Sequence, residues 1–258
     1  MESRWSRRDH HGSSLLERFT WRDRSVTGFV PDNKLGEDAH FICADEDTVG
    51  VTDGVGGFAK QGIDAGEYAR SLMRSTPPTP SAKLRRVISE AFKGAKGLKG
   101  ASTACIIALN SCVLNAANVG DSGFMVFRDK KLLYSSPLQQ HWFNIPYQLG
   151  NQKGADRPGC ASELKLRVAA GDILVLGTDG LLDNLFSEEI EMILEKKEEV
   201  KPGELAEEIA TRAFSKSLKN DCETPFSREY KSLGGQMHLG GKKDDITVIV
   251  SHIVNVDN

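Results

Sequence analysis

Three short stretches set aspartate against glycine at the end of an apolar run: VTDGVGG from Val51, LGTDGLLDN from Leu176, and GGKKDDITVIV from Gly240. With GED at 36–38 and GDS at 120–122, they put Asp38, Asp53, Asp121, Asp179, Asp183, Asp244 and Asp245 at predicted strand ends or in turns beside glycine. Carboxylates gathered at one place repel one another, and their pKa values rise. A divalent cation removes that conflict, and hard cations such as Mg2+ and Mn2+ prefer carboxylate, carbonyl and water oxygens. Gly54, with no side chain, lets its carbonyl oxygen approach a cation directly. Asp-Gly is also the commonest hairpin signal, so any one stretch alone reads first as a turn. Their joint order along the chain is what points to chemistry.

Other chemistries find no foothold. GVGGFAKQG has Ala59 where a dinucleotide fingerprint needs glycine, and GGKKDD has no Ser or Thr after lysine, so it is not a P-loop. None of the six histidines forms H-E-x-x-H, and G-x-S-x-G is absent. Five cysteines, at 43, 105, 112, 160 and 222, include no C-x-x-C pair, which argues against structural zinc and reads as reduced thiols of an intracellular protein. A net charge of -3 gives no general attraction to nucleic acid or anionic membrane. No apolar run approaches the roughly 18 residues of a membrane span, and the first residues lack the apolar core of a secretory signal.

Stepping the acids into place requires strands. The 258 residues, 39% hydrophobic and 27% charged, suffice for a sizeable core. Residues 1–25 are expected to be a flexible leader; they are rich in Arg and Ser like a transit peptide, but Glu2, Asp9 and Glu17 are foreign to one. Cytoplasm, chloroplast and mitochondrion therefore stay open. A single domain is expected over 26–258. VTGFV, AHFICAD and TVGVTDG read as strands, DAGEYARSLMRS as a helix stopped by TPPTP, and SAKLRRVISEAFKGA as a helix capped by Ser81. TACIIAL, VLNAANVG, GFMVFRD and KLLYSS read as an antiparallel meander, since no crossover helix fits between them. ELKLRVAAGDILVLGTDG returns to strand, and two amphipathic helices follow, the first capped by Ser187 and the second opened near Pro202. DDITVIVSHIV is the last strand. Strands and helices in blocks favour an α+β fold, two antiparallel sheets with helices outside.

GEDAHF, VTDGVGG, GASTACI, ANVGDSGFMVFR, LGTDGLLDN and GGKKDDITVIV stand in the order seen in the metal-dependent type 2C Ser/Thr protein phosphatases, the PPM family, which this chain resembles over residues 26–254. QQHWFNIPYQLG at 139–150 resembles a short eukaryotic branch found in plants and mitochondria. The resemblance implies a four-layer αββα sandwich with a binuclear Mn2+ or Mg2+ centre at one end. It implies that Asp53 bridges both ions, that Gly54 gives its carbonyl to one, that Asp179 and Asp245 bind the other, and that Glu37 reaches the first directly or through water, beside Asp38. Asp121 and Asp183, with Asp179, match acids that hold a weaker third ion in some members. The implied activity is hydrolysis of phosphoserine and phosphothreonine by a metal-activated water, without a phosphoenzyme.

Two departures matter. Val55 stands where many members carry a histidine proposed as general acid, leaving His40 and His141 as candidates against a purely structural role. Lys34 stands in the region where many members carry a phosphate-gripping arginine; it is either a point-charge substitute or a solvated loop residue. Asp53, Asp179, Asp38 and Lys34 are thus the expected catalytic set. Lys34, His141, Trp142 and Tyr147, with Phe143, are the expected substrate surface, against the alternative that the aromatics anchor their own segment. A phosphoprotein is the expected partner and a monomer the expected state. A catalytically inactive regulatory relative and a small-molecule phosphoesterase are the rival readings.

Overall fold

The computed structural model describes residues 19–29, 36–77, 83–197, 201–235 and 239–255. Lys34 and Ser81 lie outside them. In chain order the strands are β1 (Phe19–Phe29), β2 (Asp38–Cys43), β3 (Thr48–Asp53), β4 (Ala101–Ser102), β5 (Ala104–Asn110), β6 (Val113–Val119), β7 (Gly123–Arg128), β8 (Lys131–Ser135), β9 (Gln140–Trp142), β10 (Ile145–Pro146), β11 (Leu149–Gly150), β12 (Ser162–Arg167), β13 (Ile173–Gly177) and β14 (Ile246–Asn255). The helices are α1 (Ala65–Arg74), α2 (Leu84–Gly94), α3 (Asp179–Leu182), α4 (Ser187–Glu195), α5 (Pro202–Ser217) and α6 (Pro225–Ser232).

Two five-stranded antiparallel sheets, ordered β1-β14-β13-β7-β8 and β12-β6-β5-β3-β2, stack face to face. The strands alternate which apolar residue faces which layer. Cys105 and Ile107 of β5, Leu174 and Leu176 of β13, and Ile249 and Ile253 of β14 meet in the central core. Their neighbours turn outward: Ala104 and Ile106 pack under α1 and α2, while Val175, Val248 and Val250 pack under α3, α4 and α5. Strands buried on both faces explain the near-continuous apolar runs LVLG and ITVIV. The helices bury one stripe each, such as Leu205, Ile209, Ala210 and Ala213 on α5. The result is the four-layer αββα sandwich. No helix among the described residues is long and apolar enough to cross a membrane.

Four local readings are corrected. β1 begins at Phe19 and pairs with β14 from Asn255, so residues 19–25 are strand rather than leader. A bulge between Arg22 and Ser25 interrupts the register there, and with it the alternation a sequence reader needs. The expected meander is two hairpins: β5 pairs β6 in one sheet, β7 pairs β8 in the other, and Gly120-Asp121-Ser122 carries the chain between sheets. Ser187 is the first helical residue of α4, not its cap; the Phe186 amide at the cap position donates to Glu189 Oε2 at 3.1 Å. The helix expected from Ser81 starts at Leu84, with Lys83 at its cap. The short helices α3 and α6 and the β9–β10 hairpin had no periodicity long enough to read.

Candidate metal centre

The strand registers bring the acids to one end of the sandwich. Asp38 opens β2 directly opposite Asp53, which closes β3. Gly177 at the end of β13 pairs with Gly123 and with Val248, so Asp121, Asp179 and Asp245 leave their strands at the same rim. Carboxylate oxygens of Asp53, Asp121 and Asp179 lie within 4.8 Å of one another. Glycine is needed where backbones touch: a Cβ on Gly180 would run into the Asp245 carbonyl, and one on Gly54 would sit 2.5 Å from the Ala65 carbonyl oxygen.

Buried hydroxyls fix the acids. Thr103 Oγ1 accepts the Asp53 amide at 3.0 Å and bonds Ser122 Oγ at 2.8 Å, while Ser102 Oγ donates to the Asp53 carbonyl at 2.8 Å. Thr52 Oγ1 bonds Ser102 Oγ and donates to the Thr103 carbonyl. This network gives GAST a physical purpose. Thr103→Val leaves the Asp53 amide and the Ser122 hydroxyl without this partner, and is expected to cost about 1–3 kcal/mol; urea unfolding measures it. Asp38 Oδ2 accepts from Thr178 Oγ1 at 2.8 Å and Thr247 Oγ1 at 2.7 Å. The Glu37 amide donates to Asp245 Oδ2 at 2.5 Å, and the Glu37 carbonyl accepts from Gly54 N at 3.1 Å.

The electrostatics ask for positive charge. Desolvation, then Asp179, Asp38, Asp244 and Asp121, hold the Asp53 carboxyl well above its ordinary value. Desolvation also raises Asp38, offset in part by its two threonine bonds and reinforced by Asp179 and Asp245. Burial and then Asp179 and Asp183 push Asp121 up to about 8. Asp38 Oδ1, Asp121 Oδ1 and Asp179 Oδ1 are buried without a hydrogen-bond partner. Oxygen-only donors, unpartnered and mutually repelling, fit a hard divalent cation.

Two participants had no sequence signal. Lys242 Nζ reaches Asp179 Oδ2 at 2.5 Å, Asp183 Oδ2 at 3.0 Å and Asp244 Oδ2 at 3.2 Å. Burial alone would lower its pKa, but those three acids reverse this and raise it above its ordinary value. Gln140 Nε2 donates to Asp121 Oδ2 at 3.4 Å, tying β9 to the rim.

The expected substrate aromatics divide. Trp142 is 76% exposed. Phe143 packs on Phe226 and Tyr230 with ring centroids 4.9 and 5.4 Å away, and Tyr147 packs against the core under α1 and α2. These two are anchors. His141 stacks on Tyr147 at 4.2 Å, and its Nε2 lies 3.0 Å from Asp156 Oδ2. A groove of about 480 Å³ runs between Val55 and Phe58 on one side and His141, Trp142 and Ile145 on the other. Val55, the residue after Gly54, is the part of the groove lining nearest in sequence to the acid cluster.

No protein-family profile matches the sequence. The chain is 43% identical over 239 residues to Probable protein phosphatase 2C 55 of Arabidopsis thaliana, covering 90% of this chain and 49% of the relative. It thus spans about half the length of that relative. It is 37% identical over 248 residues to Putative protein phosphatase 2C 24 of Oryza sativa subsp. japonica, covering 90% of this chain and 77% of the relative. Its structure is similar to the X-ray structure of the photosystem II phosphatase PBCP, with a TM-score of 0.80 and 28% identity, covering 89% of this chain and 98% of that one. Such identity, sustained across three quarters of the rice relative and joined to a shared fold, means that the chain belongs to the protein phosphatase 2C family.

Proposed function

We propose that this chain is a metal-dependent protein phosphatase that hydrolyses phosphoserine and phosphothreonine, with one catalytic domain beginning at β1. The convergence of Asp53, Asp121 and Asp179, with buried oxygens left unpartnered, is the observation that carries this reading. Asp53, the Gly54 carbonyl, Asp179, Asp245 and Glu37 would hold two Mn2+ or Mg2+ ions. When bound, these supply the positive charge that acidifies water near neutral pH and offsets charge on the phosphoryl oxygens. The chain's own residues fix the frame. Thr103 and Ser102 lock the Asp53 backbone, and Gly180 lets the Asp245 backbone close on α3. Asp38, gripped through Oδ2 by two threonines, keeps Oδ1 free to hold a proton or a water beside the ions. His141, tied to Asp156, shapes the groove wall.

The groove supports a peptide substrate. Its lining runs from Val55, the residue after Gly54, to the exposed Trp142, so a phosphopeptide with an apolar residue near the phosphorylated one would lay that residue on Trp142. Trp142→Ala is expected to lower kcat/KM for such a peptide about fivefold, roughly the 1 kcal/mol of one exposed aromatic contact. Turnover of p-nitrophenyl phosphate, which has no flanking residue, should stay unchanged. The same reading takes the chain as an intracellular monomer with a phosphoprotein partner.

Phosphate release from a phosphothreonine peptide with Mn2+, Mg2+ and EDTA tests the proposal. Turnover that requires the metal supports it. Folded protein that is inert with every metal overturns it. Turnover of nucleotide or sugar phosphates without peptide turnover would reassign the chain to small-molecule phosphoesters.

A further inference from the structure

The acid cluster already carries one cation of its own. Lys242 Nζ is bonded by Asp179, Asp183 and Asp244, and its side chain is 17% exposed. The same ammonium lies 5.8 Å from the Phe226 ring centroid, so an aromatic face joins the three carboxylates around it. Its backbone is clamped. Lys242 N donates to Asn184 Oδ1 at 3.0 Å, and the Lys242 carbonyl accepts from Asn184 Nδ2 at 2.9 Å. Asn184, fully buried, also donates to the Gly180 carbonyl at 2.8 Å. The turn that bears Asp179 and the loop that bears Lys242 are therefore one rigid unit, and the ammonium is part of its design.

The acids matched to a third ion are divided by this arrangement. Asp121 joins Asp53 and Asp179. Asp183 gives Oδ2 to Lys242 instead. We propose that Lys242 is a tethered cation occupying the charge position of the third divalent ion, so that the chain takes two ions and not three. The inference rests on the metal-centre reading above. A covalently attached ammonium needs no free cation to neutralise Asp183 and Asp244, and it cannot dissociate when metal is scarce.

Equilibrium dialysis of the purified chain against millimolar Mn2+, followed by elemental metal counting, tests this without an activity assay. Wild type is expected to bind two Mn2+ per chain. Asp183→Asn is expected to bind two as well, with unchanged affinity, because Asp183 serves the ammonium. Lys242→Met, confirmed folded by circular dichroism, is expected to bind three. Three ions on wild type, loss of an ion in Asp183→Asn, or only two on folded Lys242→Met would each overturn the inference. If Lys242→Met does not fold, the wild-type and Asp183→Asn counts decide alone. No Mn2+ on wild type would overturn the metal-centre reading itself, and this inference with it.

Discussion

Asp179→Asn is expected to abolish metal-dependent phosphate release while the protein stays folded. The loss should be at least roughly a thousandfold, equivalent to about 4 kcal/mol of transition-state stabilisation. Asp179 sits at the centre of the cluster: it converges with Asp53 and Asp121, and its Oδ1 is buried without a partner. An amide keeps the shape but removes the charge that a hard cation needs. The fold should tolerate the change: the Asp179 carbonyl still accepts from Asp183 N at 2.7 Å, and Lys242, which loses the charge of Asp179, keeps Asp183 and Asp244. Steady-state rates with Mn2+, beside a thermal melt in EDTA, check both halves. A variant retaining a tenth of wild-type turnover would contradict the assignment.

Metal removal should make stability fall as pH rises, against the usual behaviour of carboxylates. Burial and neighbouring charge lift Asp121 to about 8 and Asp183 to about 7, and Asp244 to about 6, from an ordinary 3.8. For Asp121 and Asp244 the largest charge contribution is Asp179; for Asp183 the Lys242 ammonium works against the rise without cancelling it. Each raised group keeps a proton in the folded state that the unfolded chain has already released. The associated stability is complete below the ordinary carboxylate pKa and is lost as pH climbs through the folded value. One such proton is worth about 1.4 kcal/mol per pH unit, and each kcal/mol shifts the melting temperature of a chain this size by roughly 2–4 °C. In EDTA the melting temperature should therefore drop by roughly 10 °C or more between about pH 5 and pH 8. Mn2+ held at Asp53 and Asp179 places positive charge beside these three acids, favours their ionised forms, and should recover the loss most strongly at the alkaline end. A flat profile in EDTA, or one that Mn2+ leaves unchanged, would contradict the electrostatic account.

The sequence made the layers and the acid-bearing strand ends legible because both depend on local pattern. Apolar runs such as LVLG and ITVIV announce strands buried on two faces, and TDG, GDS and DDIT stand where those strands stop. The long-range register that joins Asp53 to Asp121 and Asp179 followed from resemblance rather than from pattern. Where local pattern was silent, reading failed. Arg22 to Ser25 carry a bulge that hides β1, and GDS carries a change of sheet that looks like any hairpin turn. Lys242 and Lys243 are chemically alike in sequence, and it is Asn184, just past the end of α3, that aims the first of them at the acids. Trp142, Phe143 and Tyr147 likewise divide by geometry alone: the hairpin exposes Trp142 while Phe226 and Tyr230 take Phe143.

Anomalous scattering at the manganese edge, from crystals soaked in Mn2+, would locate the ions against the acids. The account predicts anomalous peaks adjoining the carboxylates of Asp53 and Asp179, and their loss on soaking with EDTA. Manganese bound elsewhere, or no peak at this rim in a protein that still releases phosphate, would contradict it.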